Sequence, residues 1–233
     1  MRDKYLFTLF FVSLAADLAL AAPSLGWSAI PAALAGWYAA DLASGLVHMT
    51  MDYNPCRPGT GLRDLYFWDG PRDSAEFQVK QDEVYARISR FERVVYDFKK
   101  HHPFPDLLGR HNFLHLMKGP TFVVVLPISL ALNAVFLALR PPGWLLVGVV
   151  VTLLGAAMSQ AFHGALHRDD VGRTLRLLRR LRLVMSRSAH QAHHDSLTQD
   201  FAVVNGWSNP LVNLCASVLL RSGALSKEGL EPA

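Results

Sequence analysis

The chain has 233 residues, 51% hydrophobic and 18% charged, with a net charge of +4 and a mean hydropathy of +0.20. A water-soluble domain of this length carries more charge and distributes its apolar residues more evenly, so the class is an integral membrane protein. Two cysteines, Cys56 and Cys215, supply neither a disulfide framework nor a paired-cysteine metal motif, and no basic tail with interleaved aromatics points to nucleic acid.

A membrane-crossing helix needs about 20 mostly apolar residues. Four segments meet this, at residues 5–22, 27–47, 121–139 and 144–162. The first also has features of a secretory signal, with Arg2 and Lys4 ahead of the apolar run and small residues at Ala21 and Ala22, but Asp17 interrupts the run. Basic residues set the orientation. Eleven Lys/Arg lie between His48 and Gly119 and nine follow His167, against Arg140 alone in the third connection and none in the first. The N-terminus, the long connection and the C-terminal region are therefore expected in the cytoplasm. The expectation is an all-α protein of one domain over residues 1–233: four transmembrane helices under a cytoplasmic histidine-rich helical cap formed by 48–119 and 168–233.

Within the cap, apolar residues recur at Val84, Ile88, Phe91, Val95 and Phe98, which predicts one amphipathic helix leading to His101 and His102. Residues 62–77, with Tyr66, Phe67 and Trp68, read as an interfacial loop with an aromatic anchor. The basic stretch 172–188 reads as a helix, lying on anionic headgroups or packed on its neighbours.

All ten histidines fall at the cytoplasmic ends of these elements. His163 and His167 are four residues apart on one helix face, roughly 6 Å along the axis. His190, His193 and His194 repeat the spacing, and His48 with Asp52 mixes imidazole with carboxylate. His101 and His102 open a stretch that ends at His111; His115, followed by apolar chain, reads as a bystander. Neutral imidazole is the commonest ligand for iron, copper and zinc. A single zinc takes only three or four ligands, and a bis-histidine haem leaves most of the set unexplained. About eight imidazoles with a carboxylate suit two non-haem irons with positions open to O₂. Asp41, one helix face with Ser44 and His48, is a carboxylate inside a span and so a candidate functional residue, as a partner to a histidine N–H or as an interhelical hydrogen bond.

Four stretches carry a family resemblance: DLASGLVHMTMD (41–52), FKKHHPFPDLLGRHNF (98–113), QAFHGALH (160–167) and HQAHHDSLTQDFAVVNGWSNPL (190–211). They resemble the plasmanylethanolamine desaturase or CarF-like lipid desaturases, membrane enzymes related to a plastid fatty-acid desaturase. The resemblance implies a four-span diiron enzyme that takes electrons from a small donor protein, cytochrome b5-like or ferredoxin-like. By motif, His48, Asp52, His101, His102, His111, His163, His167, His190, His193 and His194 correspond to its histidine-box positions, not all of them necessarily direct ligands. The connection between His48 and His101 is longer than in the vinyl-ether-forming members, and Phe104-Pro105 replaces the acidic residue expected after the paired histidines. Both an ether phospholipid and an ordinary acyl chain remain as substrates. The resulting expectation is an O₂-dependent diiron lipid desaturase, with Asp52 and Asp41 as its catalytic carboxylates. The alternatives are a hydroxylase of the same chemistry and a non-catalytic metal- or haem-binding membrane protein.

Overall fold

The apolar runs fold as four long helices, and a computed structural model covering residues 1–233 contains no strand. The stretches long and apolar enough to cross a membrane are Arg2–Ser24, Ala29–Tyr53, Phe113–Leu139 and Gly143–Leu166. The first is α1 (Arg2–Ala21) with a short 3₁₀ turn, and the second is α2 (Ala29–Tyr53). α2 continues past its apolar run to Tyr53, so His48 and Asp52 ride on the same rigid helix as Asp41. The third stretch is broken into α7 (Phe113–Gly119), a π turn (Pro120–Val125) and α8 (Leu126–Leu139). Pro127 has no N–H to offer the carbonyl four residues back, and the turn before it widens accordingly. The fourth is α9 (Gly143–Leu166).

α2 and α9 run in the same direction in close contact. Gly36 lies against the Gly148 backbone, and a methyl group at Gly155 would sit 2.6 Å from the Ala40 Cβ. Small residues at these levels let the backbones approach, as helix pairs in lipid require. That approach brings His48 level with His163. α1 and α8 cover the other side of α9 through Phe10, Leu14, Leu126 and Val150. Asp17 belongs to this layer: it accepts from the Asn133 amide at 2.6 Å, beside a Ser13–Ser129 hydroxyl pair.

The region between the second and third spans departs from the sequence reading in two places. The amphipathic segment is two helices, α4 (Ala75–Arg87) and α5 (Arg90–Lys100), broken at Ile88 and Ser89. Ser89 and Glu92 form a reciprocal capping box, which starts a helix more strongly than the apolar period sustains one. Residues 62–77 are not loop throughout: only 67–74 are irregular, between two helices. α3 (Leu62–Tyr66) and Phe77 pack with Val84, Val95 and Tyr96 into a separate small core. α6 (Asp106–Gly109) then leads to α7.

The basic stretch also divides. α10 (Arg173–Arg180) ends in a turn with Arg182 at φ +57°, and Ser186 caps α11 (Arg187–Ser196), the helix that carries His190, His193 and His194. Leu175 and Leu178 of α10 pack against Phe162, Val184 and Val204. α12 (Asn209–Arg221) lies along α2, with Val212 and Ala216 against Met49 and Tyr53. The chain closes with a 3₁₀ turn at Lys227–Leu230.

Candidate metal centre

Eight histidines and Asp52 converge between α2, the end of α5, the end of α9 and α11. They form two adjoining groups, each with its ligand atoms within 4.8 Å of one another: His101, His163, His167, His190 and His194 in one, and His48, Asp52, His102 and His193 in the other. The adjacent pairs His101–His102 and His193–His194 each give one imidazole to each group. The His48 and His163 rings, one from each group, have centroids 4.8 Å apart.

Backbone carbonyls orient three of the rings. His48 Nδ1 donates to the Phe201 carbonyl at 2.9 Å, His193 Nδ1 donates to Gln199 at 2.8 Å, and His101 Nδ1 donates to Phe98. With the proton held on Nδ1, each Nε2 presents a lone pair to the cluster, the arrangement by which metal-binding histidines are fixed. Nε2 of His48 and His101, both ring nitrogens of His163 and both oxygens of Asp52 are buried without a hydrogen-bond partner. Buried polar atoms are normally paired, so this many orphans on ligand-type atoms facing one centre fits a cation shared among them. The spacings agree. His190–His167 and His194–His190 Nε2 pairs are 3.2 Å apart and His193–His102 is 3.3 Å, close to the roughly 3 Å between nitrogens bonded to one ion at 2.0–2.1 Å. Asp52 directs Oδ2 to His48 and His193, at 3.4 Å each, and Oδ1 to His102 at 3.6 Å. These contacts are too long for hydrogen bonds and suit neighbours around a common ion.

The environment favours the neutral, ligating form of imidazole. Burial, reinforced by neighbouring imidazoles, pushes His101, His102 and His190 well below the ordinary histidine range. Burial with His194 and Arg187 brings His167 down to about 3, and burial with His193 brings His194 down to about 4.

Two candidate residues stand apart from the cluster. His111 is exposed and stacks on His115, ring centroids 4.4 Å apart, and it belongs to neither group. The turn at α6 carries the chain away from the centre after His102, so the motif's last histidine points elsewhere. Asp41 contacts no histidine. Its Oδ1 accepts from the amides of Val204, Asn205 and Gly206, and its Oδ2 from the amide and hydroxyl of Ser208. Both of its oxygens are occupied by the loop before α12, which it anchors. Lys99 passes unnoticed in the sequence as one of many surface lysines. It is buried, and its ammonium donates to the carbonyls of Met51 and Asp52 on α2 and of Gly229 in the C-terminal turn.

The sequence has relatives among known proteins. The family model of the lipid desaturase domain matches residues 88–218, more than half of the chain. The chain belongs to the lipid desaturase family. The matched region contains every histidine of the two groups except His48, which α2 supplies together with Asp52. A plasmanylethanolamine desaturase from Myxococcus xanthus is 26% identical over 189 residues, 78% of this chain and 55% of that protein. This lipid desaturase family member thus spans about half the length of that relative. No solved structure matches the chain.

Proposed function

We propose that this protein is an O₂-dependent diiron desaturase that introduces a C=C bond into an alkyl or acyl chain of a membrane lipid. One observation carries the reading: two adjoining ligand groups, rich in imidazole and free of thiolate, in which Nε2 of His48, His101 and His163 and both oxygens of Asp52 are buried with no hydrogen-bond partner. Five imidazoles would hold one iron, and His48, His102, His193 and Asp52 the other. Iron and O₂ together would supply the oxidising power to remove two hydrogens from adjacent carbons. The balance is one O₂, two hydrogens with their electrons from the lipid, and two electrons with two protons from outside, giving two waters. An external donor is therefore required, for which a cytochrome b5-like or ferredoxin-like protein is suited.

The residues of the chain do the positioning. Phe98, Phe201 and Gln199 carbonyls fix three imidazoles, and the α2–α9 contact sets the spacing of the two groups. Phe98 and Phe201 also flank His48, with ring centroids at 5.6 and 6.3 Å, and exclude water from that side of the centre. Positive charge is concentrated on the histidine side, which supports a cytoplasmic placement of the centre and of both termini. The 26% identical relative is a desaturase of an ether phospholipid by name, and an ether phospholipid is the first substrate to test.

The test compares the lipids of cells with and without the chain, grown in air, alongside the metal content of the purified protein. A new double bond or vinyl ether with about two irons per chain is the expected result. An unchanged lipid profile with a reductant supplied, or protein that retains no iron, would overturn the proposal.

A further inference from the structure

Residues 201–220 contain no charged side chain, and the first charge after Asp200 is Arg221 at the end of α12. The sequence reading places this segment in the cytoplasmic cap, yet its contacts lie deeper. The loop ahead of α12 is bound to Asp41, the middle residue of Ala29–Tyr53. Val212 packs on Gly45 one turn further along α2, and Ala216 packs in a cluster with Met49 and Tyr53 at its end. α12 therefore starts level with the middle of a membrane-crossing helix and runs with it to the histidine side. Its 13 residues span roughly 20 Å, more than half of the ~30 Å hydrocarbon core.

We infer that residues 201–221 are a re-entrant element, in which the loop reaches the middle of the bilayer and α12 returns through the histidine-side leaflet with its outer face against lipid chains. Three observations support that occupant. Leu211, Leu214 and Val218 are 43, 57 and 49% exposed and share one face of α12. Solvated, they would form an uncharged apolar stripe bordered only by the small hydroxyl of Ser217. Over the same length α2, a helix long and apolar enough to cross a membrane, likewise exposes Leu46 and Val47. Arg221 closes the helix where the interface is expected, as a snorkelling cation does.

Irregular backbone is tolerated at bilayer depth only when its polar groups are satisfied by protein. Here the amides are satisfied one after another. Ala202 donates to Asn209 Oδ1, Val203 to Ser44 Oγ, Val204, Asn205 and Gly206 to Asp41 Oδ1, Trp207 to Asn205 Oδ1, and Ser208 to Asp41 Oδ2. A water-exposed loop has no need of that accounting. The placement holds whichever metal the histidines carry.

Site-directed spin labels test the assignment on the full chain in lipid bilayers. Leu211→Cys, Leu214→Cys and Val218→Cys are made singly with Cys56→Ser and Cys215→Ser, and bound metal reports that each variant is folded. The expected result is collision with O₂ in excess of collision with a water-soluble nickel chelate at all three, the depth decreasing from 211 to 218. Ready collision with the nickel chelate would overturn the inference, as would low access to both reagents with label–label broadening, which would place a second copy on this face. The unaltered protein gives an independent reading. In intact bilayers Cys215 should react with a charged maleimide at least roughly tenfold more slowly than in denatured chain, because a charged reagent is excluded from hydrocarbon. Equal rates would overturn the inference.

Discussion

Lys99 Nζ donates to the carbonyl of Asp52 at 2.5 Å from a side chain withdrawn from solvent, two positions before His101. The carbonyls it binds are among the last four of α2, which have no partner inside the helix. One ammonium thus joins the helix of His48 and Asp52 to the segment of His101 and His102, and both to the C-terminal turn through Gly229. Lys99→Met should leave buried carbonyls bare, at about 1–3 kcal/mol for each. The expected outcome is a lower melting temperature and a loss of iron from both groups, partly restored in Lys99→Arg. Metal analysis with thermal unfolding in detergent measures both, and unchanged iron in Lys99→Met would remove the residue from the site's support.

Asp52 is the one carboxylate in the ligand set, and His111 is a histidine of the same motifs that lies outside it. Asp52→Asn replaces a charged ligand with a weak neutral one in the group of four and leaves the five-imidazole group complete. Bound iron should fall from about two per chain toward about one, with desaturation abolished. His111→Ala should retain the iron of the unaltered protein. Stoichiometry by elemental analysis separates the two variants, and equal loss in both would contradict the division into groups.

Acid should weaken the metal-free fold before most carboxylates titrate. His167 and His194 have folded-state values of about 3 and 4, below the usual 6.5. Between these limits the unfolded chain binds more protons, so stability falls with decreasing pH. The contribution of these two residues is fully present above about pH 6.5 and is lost as pH falls toward 4 for His194 and toward 3 for His167. Chemical unfolding of metal-free protein in detergent between pH 7 and pH 4 should show a steadily falling midpoint. In His167→Gln with His194→Gln the slope should be shallower.

The histidines of the centre were legible because ligand spacing on helices is a sequence property. His163 and His167, or His190 and His194, share a face wherever the helix goes. The double histidines carried more than their spacing revealed: each pair splits between two groups, which requires the residues just after α5 to meet α11 and α2. The hydrogen-bond partners of Asp41 were hidden for a related reason. A carboxylate inside a span signals a partner but not which one, and its partners lie more than 160 residues away in an otherwise featureless apolar segment. The same segment concealed the depth of α12, since apolar length distinguishes a full span from a loop but not a half-span packed on one. The break at Ser89 was readable as Ser-x-x-Glu and was overridden by an apolar period that happens to continue across it.

Gly155 tests whether the distance between α2 and α9 sets the spacing of the two groups. A Cβ there meets Ala40 at 2.6 Å and the Trp37 ring at 3.1 Å, so Gly155→Leu must push the helices apart. Overpacking of this kind costs about 1–3 kcal/mol, and the displacement is carried to His48 and His163, on the same two rigid helices. Reduced iron in folded protein is expected, and Gly155→Ala should fall between the two.

Asp41 separates an anchoring role from a catalytic one. It accepts four amides and a hydroxyl from the loop that supplies the Phe201 carbonyl to His48 and leads on to α12. Asp41→Ala strands those donors at bilayer depth, and at about 1–3 kcal/mol for each unsatisfied group the cost approaches the whole stability of an ordinary domain. The chain should fail to accumulate in the membrane. Asp41→Asn keeps an acceptor oxygen but places an amide nitrogen where Ser208 donates, so part of the network survives. That variant should be made in reduced amount, yet each folded molecule should bind iron and desaturate at a rate near that of the unaltered protein. The measurement is turnover per bound iron, compared with total expression. Normal accumulation with abolished turnover would instead place the Asp41 carboxylate in the reaction.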